Sequence, residues 1–303
     1  MSVLVVGSVA FDGIKTPSGN VERCLGGSAT YFSLSASFFT EVRVVAVVGD
    51  DFSKEDEAVF TKRKIDITGL QRVPGKTFFW RGEYGDNMNE AKTISTDLNV
   101  FETFDPKIPP AYLDSDYLFL ANIDPVLQSN VRKQMDKVLL VGGDTMNYWI
   151  TGKPKELAEI LKQIDVLLIN DGEAKMLGKT NSLPRAAQSI LAHGPRVLVI
   201  KHGEFGATAF FKEQGMHPFR APALPVEEVI DPTGAGDCFA GGFMGYIASQ
   251  ANLNREVLKR AMFYGGVMGS FAVEKFGTQR LQDLRRADID ARFELFRELS
   301  HFD

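Results

Sequence analysis

The chain has 303 residues, 44% hydrophobic and 24% charged, with a formal net charge of −5 at pH 7. That size and balance suit one large α/β domain or one domain with an appendage, and the acidic excess argues against a surface that coats nucleic acid. Two cysteines, Cys24 and Cys238, are too few for a disulfide scaffold or a zinc site, and no stretch approaches the length of a membrane span, so a cytoplasmic protein is expected.

In chain order, residues 3–6 form a short apolar run closed by Gly7-Ser8, as a buried parallel strand would. No basic segment precedes it, so it reads as a first strand and not a signal peptide. Asp12 follows closely. Pro17-Ser18-Gly19-Asn20 is a turn cluster between two short extended pieces and predicts a small hairpin. Gly26-Gly27 opens a helix over 29–39, where Ala29, Phe32, Ala36 and Phe39 repeat at helical spacing. Residues 42–48 read as a second buried strand and 53–64 as a helix. The rhythm then breaks. Within 72–104, residues 76–84 and 90–97 look extended around Gly85-Asp86-Asn87 and mix Phe78, Phe79, Trp80 and Tyr84 with charges, which suggests strands outside the main sheet.

Strand–helix alternation resumes with strands over 117–121, 137–141, 166–169, 197–200 and 207–211. Helices are expected after Pro125, over 154–164, after Asn170, over 183–193 and 255–273, and in an amphipathic stretch at 283–299. Such units imply a mostly parallel sheet covered on both faces, with ligands beyond the carboxyl ends of its strands. Asp12, Asn122, Asp144, Asn170, His202 and Asp231 all follow predicted strands and could converge there. Neither a G-x-G-x-x-G nor a G-x-x-x-x-G-K-[ST] loop is present.

The most informative string is Asp231-Pro232-Thr233-Gly234-Ala235-Gly236-Asp237-Cys238-Phe239-Ala240-Gly241-Gly242-Phe243. Pro232 pins one backbone angle and the glycines free the backbone beside it. The apolar run after it is helix-length, so a tight turn opens a helix. The first amides of a helix have no internal partner, and the dipole adds positive charge there, which makes an anion site. A carboxylate inside that site, Asp237, makes sense if it takes a proton from an attacking hydroxyl. Gly241, Gly242 and Gly245 each cost a helix roughly 1 kcal/mol against Ala, which implies close backbone packing or ligand approach. The competing reading is a plain helix cap, which a lone D-x-x-G would support.

The full string resembles the C-terminal signature of the PfkB-type carbohydrate kinases, the ribokinase-like family. The match extends in order through Asp12, Gly26-Gly27 and the N-x-x-E of Asn170 and Glu173. The resemblance implies a three-layer α/β/α fold with a mostly parallel central sheet and a small β lid. Residues 1–303 would form one kinase domain, with lid strands inserted at 14–24 and 72–104. It implies an ATP-dependent kinase acting on a hydroxyl of a sugar or sugar-like molecule. Asp237 would be the general base, with Gly234, Ala235 and Gly236 the anion hole. Asp12, Gly26, Gly27, Tyr31 and Asn122 would bind substrate. Asn170, Lys201, Gly203, Gly206, Thr233 and Gly266 would bind ATP. Glu173 would organise Mg2+, which needs few protein ligands, while also fitting a helix-capping role beside Asn170. A monovalent cation such as K+ near Asp231 and a homodimer through the lid follow by the same analogy. Many members carry Asn where this chain has Tyr31. With the aromatic lid, that substitution favours a ring, as in the nucleoside kinases of the same family. A non-catalytic metabolite sensor on a kinase scaffold is the alternative of another class.

Overall fold

The structure, a computed structural model, describes residues 1–213 and 217–300. Its elements run β1 (Ser2–Val6), β2 (Ala10–Thr16), β3 (Gly19–Gly26), α1 (Ser28–Ala36), β4 (Glu41–Val48), α2 (Lys54–Thr61), β5 (Asp66–Arg72), β6 (Phe79–Tyr84) and β7 (Ala91–Asp97). Then follow β8 (Tyr117–Leu120), α3 (Pro125–Gln134), β9 (Leu140–Gly143), α4 (Asn147–Gly152), α5 (Pro154–Leu161), β10 (Val166–Asn170), α6 (Asp171–Leu177) and α7 (Leu183–Ala192). The last are β11 (Val197–Lys201), β12 (Ala207–Phe211), β13 (Phe219–Ala221), α8 (Ala235–Ala248), α9 (Arg255–Ala272), α10 (Gln279–Asp283) and α11 (Arg286–Ser300).

Nine strands form one sheet in the order β13-β12-β11-β10-β9-β8-β1-β4-β5. It is parallel from β11 to β5, with β12 and β13 added antiparallel at one edge. Strands buried on both faces read as continuous apolar runs, and Val3 to Val6 are buried without exception. Alternate residues feed two cores. Val3 and Val5 pack with α1, α8, α9 and α11, whereas Leu4 and Val6 pack with α3, α5 and α7. The result is the three-layer α/β/α architecture expected. From β1 the chain continues in the central sheet to β4 on one side, and β8 joins on the other. Strand order therefore reverses between β1 and β8, where such sheets open a crevice at their carboxyl ends.

The glycines of α8 have their explanation in packing. A Cβ on Gly241 would lie 2.3 Å from Phe32 O of α1, one on Gly245 would lie 2.9 Å from Ala36 Cα, and one on Gly242 would lie 2.7 Å from Tyr264 O of α9. The helix runs buried between two others at a separation that admits no side chain there.

A second sheet of four strands, β3-β2-β6-β7, stands apart from the first. It holds both extended segments of 72–104, and its boundaries differ from the sequence reading. Arg72 belongs to β5, a strand of the central sheet that the sequence did not disclose. The first hairpin runs from Ala10 to Gly26, so Asp12 lies inside a strand and not in a loop beyond β1. The cause is non-local: β2 pairs in parallel with β6, so its length is set by residues far along the chain. The strand expected at 137–141 begins at Leu140, where pairing to Tyr117 of β8 begins. α4 and β13 are also additions to the expected elements.

Candidate active site

The amino end of α8 is built by the 231–237 string. Gly234 caps the helix with φ 73°, a left-handed conformation that glycine adopts without penalty. A Cβ there would also lie 2.4 Å from the ring of Tyr31, which covers the turn. No side chain caps this helix end; the Ala235 amide, expected in the anion hole, donates to Pro232 O at 3.2 Å, which leaves the next amides of the turn to an anion. The turn is anchored from below by Asp231, which is fully buried. Its two carboxylate oxygens accept from the amide of Thr233 at 2.9 Å and of Gly277 at 2.8 Å.

Asp237 occupies the first turn of α8. Burial first, then the negative charge of Asp144, pushes its carboxyl up to about 8; Lys201 opposes, and Asp12 and Glu173 add to the rise. Four carboxylates thus act on one another around one crevice. The cation among them is Lys201, the last residue of β11. Its Nζ lies 3.4 Å from Asp144 Oδ2 and 3.0 Å from where a Cβ on Gly236 would stand, which puts the ammonium against the start of α8. Burial works against its charge, yet Asp144, Glu173 and Asp237 outweigh that and hold the amine protonated. Asp144 follows β9 and is itself buried, its carboxyl raised by burial despite the neighbouring lysine.

Asn170 and Glu173 form a reciprocal capping box at α6. The Asn170 side chain accepts from the Glu173 amide, and the Glu173 carboxylate accepts from the Asn170 amide, each at 2.8 Å. The capping reading of N-x-x-E therefore holds. Burial and Asp144 push the Glu173 carboxyl up to about 7, so the group also feels the crevice. Among the described residues, no cluster of three or more His, Cys, Asp or Glu side chains is arranged to hold a metal ion. The oxygen donors of Glu173 and Asp144 suit a hard cation that draws its remaining ligands from phosphate and water.

Asp12 lies on the second sheet. Its carboxylate rests directly on Gly26, where a Cβ would fall 1.8 Å from Oδ2. The hydroxyl of Tyr31 donates to the same oxygen at 3.4 Å. Burial and the charge of Asp231 push this carboxyl up to about 7, against the pull of the Gly27 amide and the Tyr31 hydroxyl. Gly27 caps α1 at φ 92° and would meet Ser8 O at 2.5 Å if it carried a Cβ. Gly26, Gly27, Tyr31 and Gly234 therefore form one packed unit that joins Asp12 to the amino end of α8.

The remaining expected residues are more scattered. Asn122 follows β8, and its Oδ1 accepts from the Trp149 indole of α4 at 3.1 Å. Gly203 and Gly206 bracket a short turn after Lys201, at φ 57° and 91°. A Cβ on Gly203 would lie 2.0 Å from Asn89 Oδ1, so the β6–β7 connection reaches this turn. The hydroxyl of Thr233 donates to the Tyr84 hydroxyl of β6 at 3.1 Å. Gly266 is turned away from the cluster, toward Phe296 of α11, 3.3 Å from its would-be Cβ. It is Gly269, one turn further along α9, that faces Ala235 at the start of α8. Gly265, which meets Phe239, shares the α8-facing side of α9 with Gly269.

Comparison with known proteins bears on the family and the fold. Residues 2–284 match the family model of the pfkB family carbohydrate kinases. A cytidine kinase of Thermococcus kodakarensis is 29% identical over 250 residues, covering 80% of this chain and 87% of the relative. The structure of a Burkholderia thailandensis nucleoside kinase in complex with inosine superposes with a TM-score of 0.77 at 20% identity, covering 97% of this chain and 98% of that one. That of a Salmonella enterica aminoimidazole riboside kinase, complexed with its riboside and an ATP analogue, gives a TM-score of 0.75 at 17% identity over 97% of this chain and 100% of that one. At those identities the two structures establish the fold. The family model, spanning nearly the whole chain, establishes more: this protein belongs to the pfkB family of carbohydrate kinases.

Proposed function

We propose that the protein transfers the terminal phosphoryl group of ATP to a hydroxyl of a sugar, free or within a nucleoside. The observation that carries this reading is the position of Asp237 in the first turn of the uncapped helix α8, beside the Lys201 ammonium. An anion site alone calls for no buried acid. An acid there is chemically useful when a hydroxyl must lose its proton as it attacks phosphorus.

Asp12 would accept from one or two hydroxyls of the acceptor, and a carboxylate with its second oxygen held by Tyr31 can orient a diol. Asp237 would take the proton of the attacking hydroxyl as its oxygen bonds to the γ-phosphorus and the bond to ADP breaks. The open amides of α8 and the Lys201 ammonium would hold the phosphoryl oxygens as charge shifts toward the leaving group. Asp237 can accept the hydroxyl proton only when ionised, and with its carboxyl pushed up to about 8 the reading implies turnover that rises with pH toward that value. Mg2+, when bound with ATP, supplies charge neutralisation on the phosphates; Glu173 and Asp144 are the carboxylates suited to hold its water shell. Gly203 and Gly206 lie beside Lys201 and would admit the nucleotide backbone closely.

The second sheet would act as a lid, supported by the Tyr84–Thr233 and Asn89–Gly203 contacts, which tie it to both halves of the crevice. A homodimer through this sheet and a monovalent cation near Asp231 stay within the proposal by family analogy. The activities of the relatives, cytidine kinase among them, support a nucleoside as readily as a free sugar. The test is ADP release with MgATP across a panel of pentoses, hexoses and nucleosides. Release that depends on one acceptor is expected; release from none, with nucleotide bound, would favour a sensor without catalysis.

A further inference from the structure

The small sheet presents one face to the site, and its register defines that face. Asp12 pairs with Trp80, and Ile14 with Gly82, between β2 and β6. Directly paired residues project to the same side, as do residues two apart. Asp12, Ile14 and Thr16 therefore share a face with Trp80, Gly82 and Tyr84. Thr16 donates to Ile230 O at 2.8 Å and Tyr84 accepts from Thr233, so this is the face turned to the 229–237 segment. Asp12, Ile14, Thr16 and Tyr84 are all buried on it. Trp80 is half-buried, at the point where this face opens to solvent over Thr93 and Thr96 of β7.

The indole is held in place. Its benzo ring rests against Gly82, where a Cβ would fall 2.0 Å from Cη2, so only glycine admits it. Its Nε1–H donates to Thr93 Oγ1 on β7 at 3.3 Å. The ring thus leans from β6 toward β7, away from β2 and Asp12. No aromatic ring stacks on it among the described residues. The opposite face of this small sheet has its own occupants, with Arg81 lying over Phe79.

We propose that Trp80 is the stacking platform for a planar heteroaromatic base, and that the acceptor is a nucleoside whose ribose hydroxyls meet Asp12. The inference deepens the kinase reading above and rests on it for the role of Asp12. Neighbouring strands stand about 4.8 Å apart, and the indole leans further still from Asp12. A single sugar ring held by Asp12 and reaching Asp237 has nothing left to cover the indole. A molecule with a second, flat ring does. A pinned indole with one open face is suited to base stacking, which every base can make because every base has a π-face.

The experiment compares wild type with Trp80→Ala and Trp80→Phe on cytidine, inosine, ribose and fructose. Steady-state kinetics with MgATP are paired with tryptophan-fluorescence titration, which needs no turnover. Stacking of this kind is expected to raise the nucleoside KM by about 5- to 150-fold in Trp80→Ala, with Trp80→Phe recovering most of it and the KM for ATP unchanged. Nucleosides, and not ribose, should quench a fluorescence component that Trp80→Phe lacks. Phosphorylation of a free sugar but of no nucleoside would overturn the inference and leave the kinase reading standing. Equal loss for ribose and nucleoside in Trp80→Ala would overturn it as well. Nucleoside quenching of the Trp80 signal without any phosphorylation would uphold the platform and sink the kinase reading instead.

Discussion

The ammonium of Lys201 lies 3.4 Å from the carboxylate of Asp144, reaching from the end of β11 past β10 to the loop after β9. Asp144 is buried and Lys201 largely so, with side-chain exposures of 9% and 16%. The pair places one positive charge among the carboxylates of Asp144, Glu173 and Asp237, all of which support its protonation. Removing one partner of a buried ion pair strands the other, at a cost of about 3–5 kcal/mol. Lys201→Met is therefore expected to lower the melting temperature markedly and to weaken MgATP binding. Asp144→Asn in the same background should restore part of the stability without restoring nucleotide affinity. Calorimetric unfolding and nucleotide titration of the single and double variants measure both.

The second sheet meets the anion turn through Tyr84 and Thr233. Tyr84→Phe keeps the ring and deletes one hydrogen bond, worth about 1 kcal/mol. If the sheet excludes water on closing, the variant should release more ADP in the absence of acceptor, by a factor of about five, with the fold intact. A coupled assay run with and without acceptor reads this ratio.

Burial holds four carboxyls of the crevice above their ordinary range: Asp144, with Asp12 and Glu173 pushed up to about 7 and Asp237 to about 8. Between the unfolded value near 4 and these folded values, the folded state binds more protons than the unfolded one. Stability from these groups therefore falls as pH rises from about 4 to about 8, and is flat above. Asp237→Asn removes one such charge. The variant should melt higher than wild type at pH 8, by about 2–4 °C for each kcal/mol relieved in a chain of this size, and the gain should vanish toward pH 4. A pH series of thermal unfolding without nucleotide tests the sign.

Much of this site was legible because its parts are local. The 231–243 string carries its turn, its helix start and its acid within one segment, and N-x-x-E is complete within four residues. What escaped was set by long-range pairing. Asp12 reads as a loop residue until β6, some seventy positions on, pairs beside it and makes β2 a strand. Asp144 shows only as one acid after one strand, and its importance comes from Lys201, 57 positions away. Gly266 is expected at the nucleotide from the resemblance alone, and only the packing of α9 shows that it meets Phe296 of α11 while Gly269 faces Ala235 of α8. β5 was missed because its mixed pattern, with Gly69 and Gln71, lacks the apolar run of the buried strands; it lies at the sheet edge.

The central claim is that Asp237 removes the proton from the attacking hydroxyl. The most direct measurement is kcat for Asp237→Asn with saturating MgATP and the acceptor found by the panel, beside the binding affinity of both. The account expects a fall of about 10²–10⁴-fold in kcat with both ligands still bound. Turnover within a few-fold of wild type by that variant would contradict it.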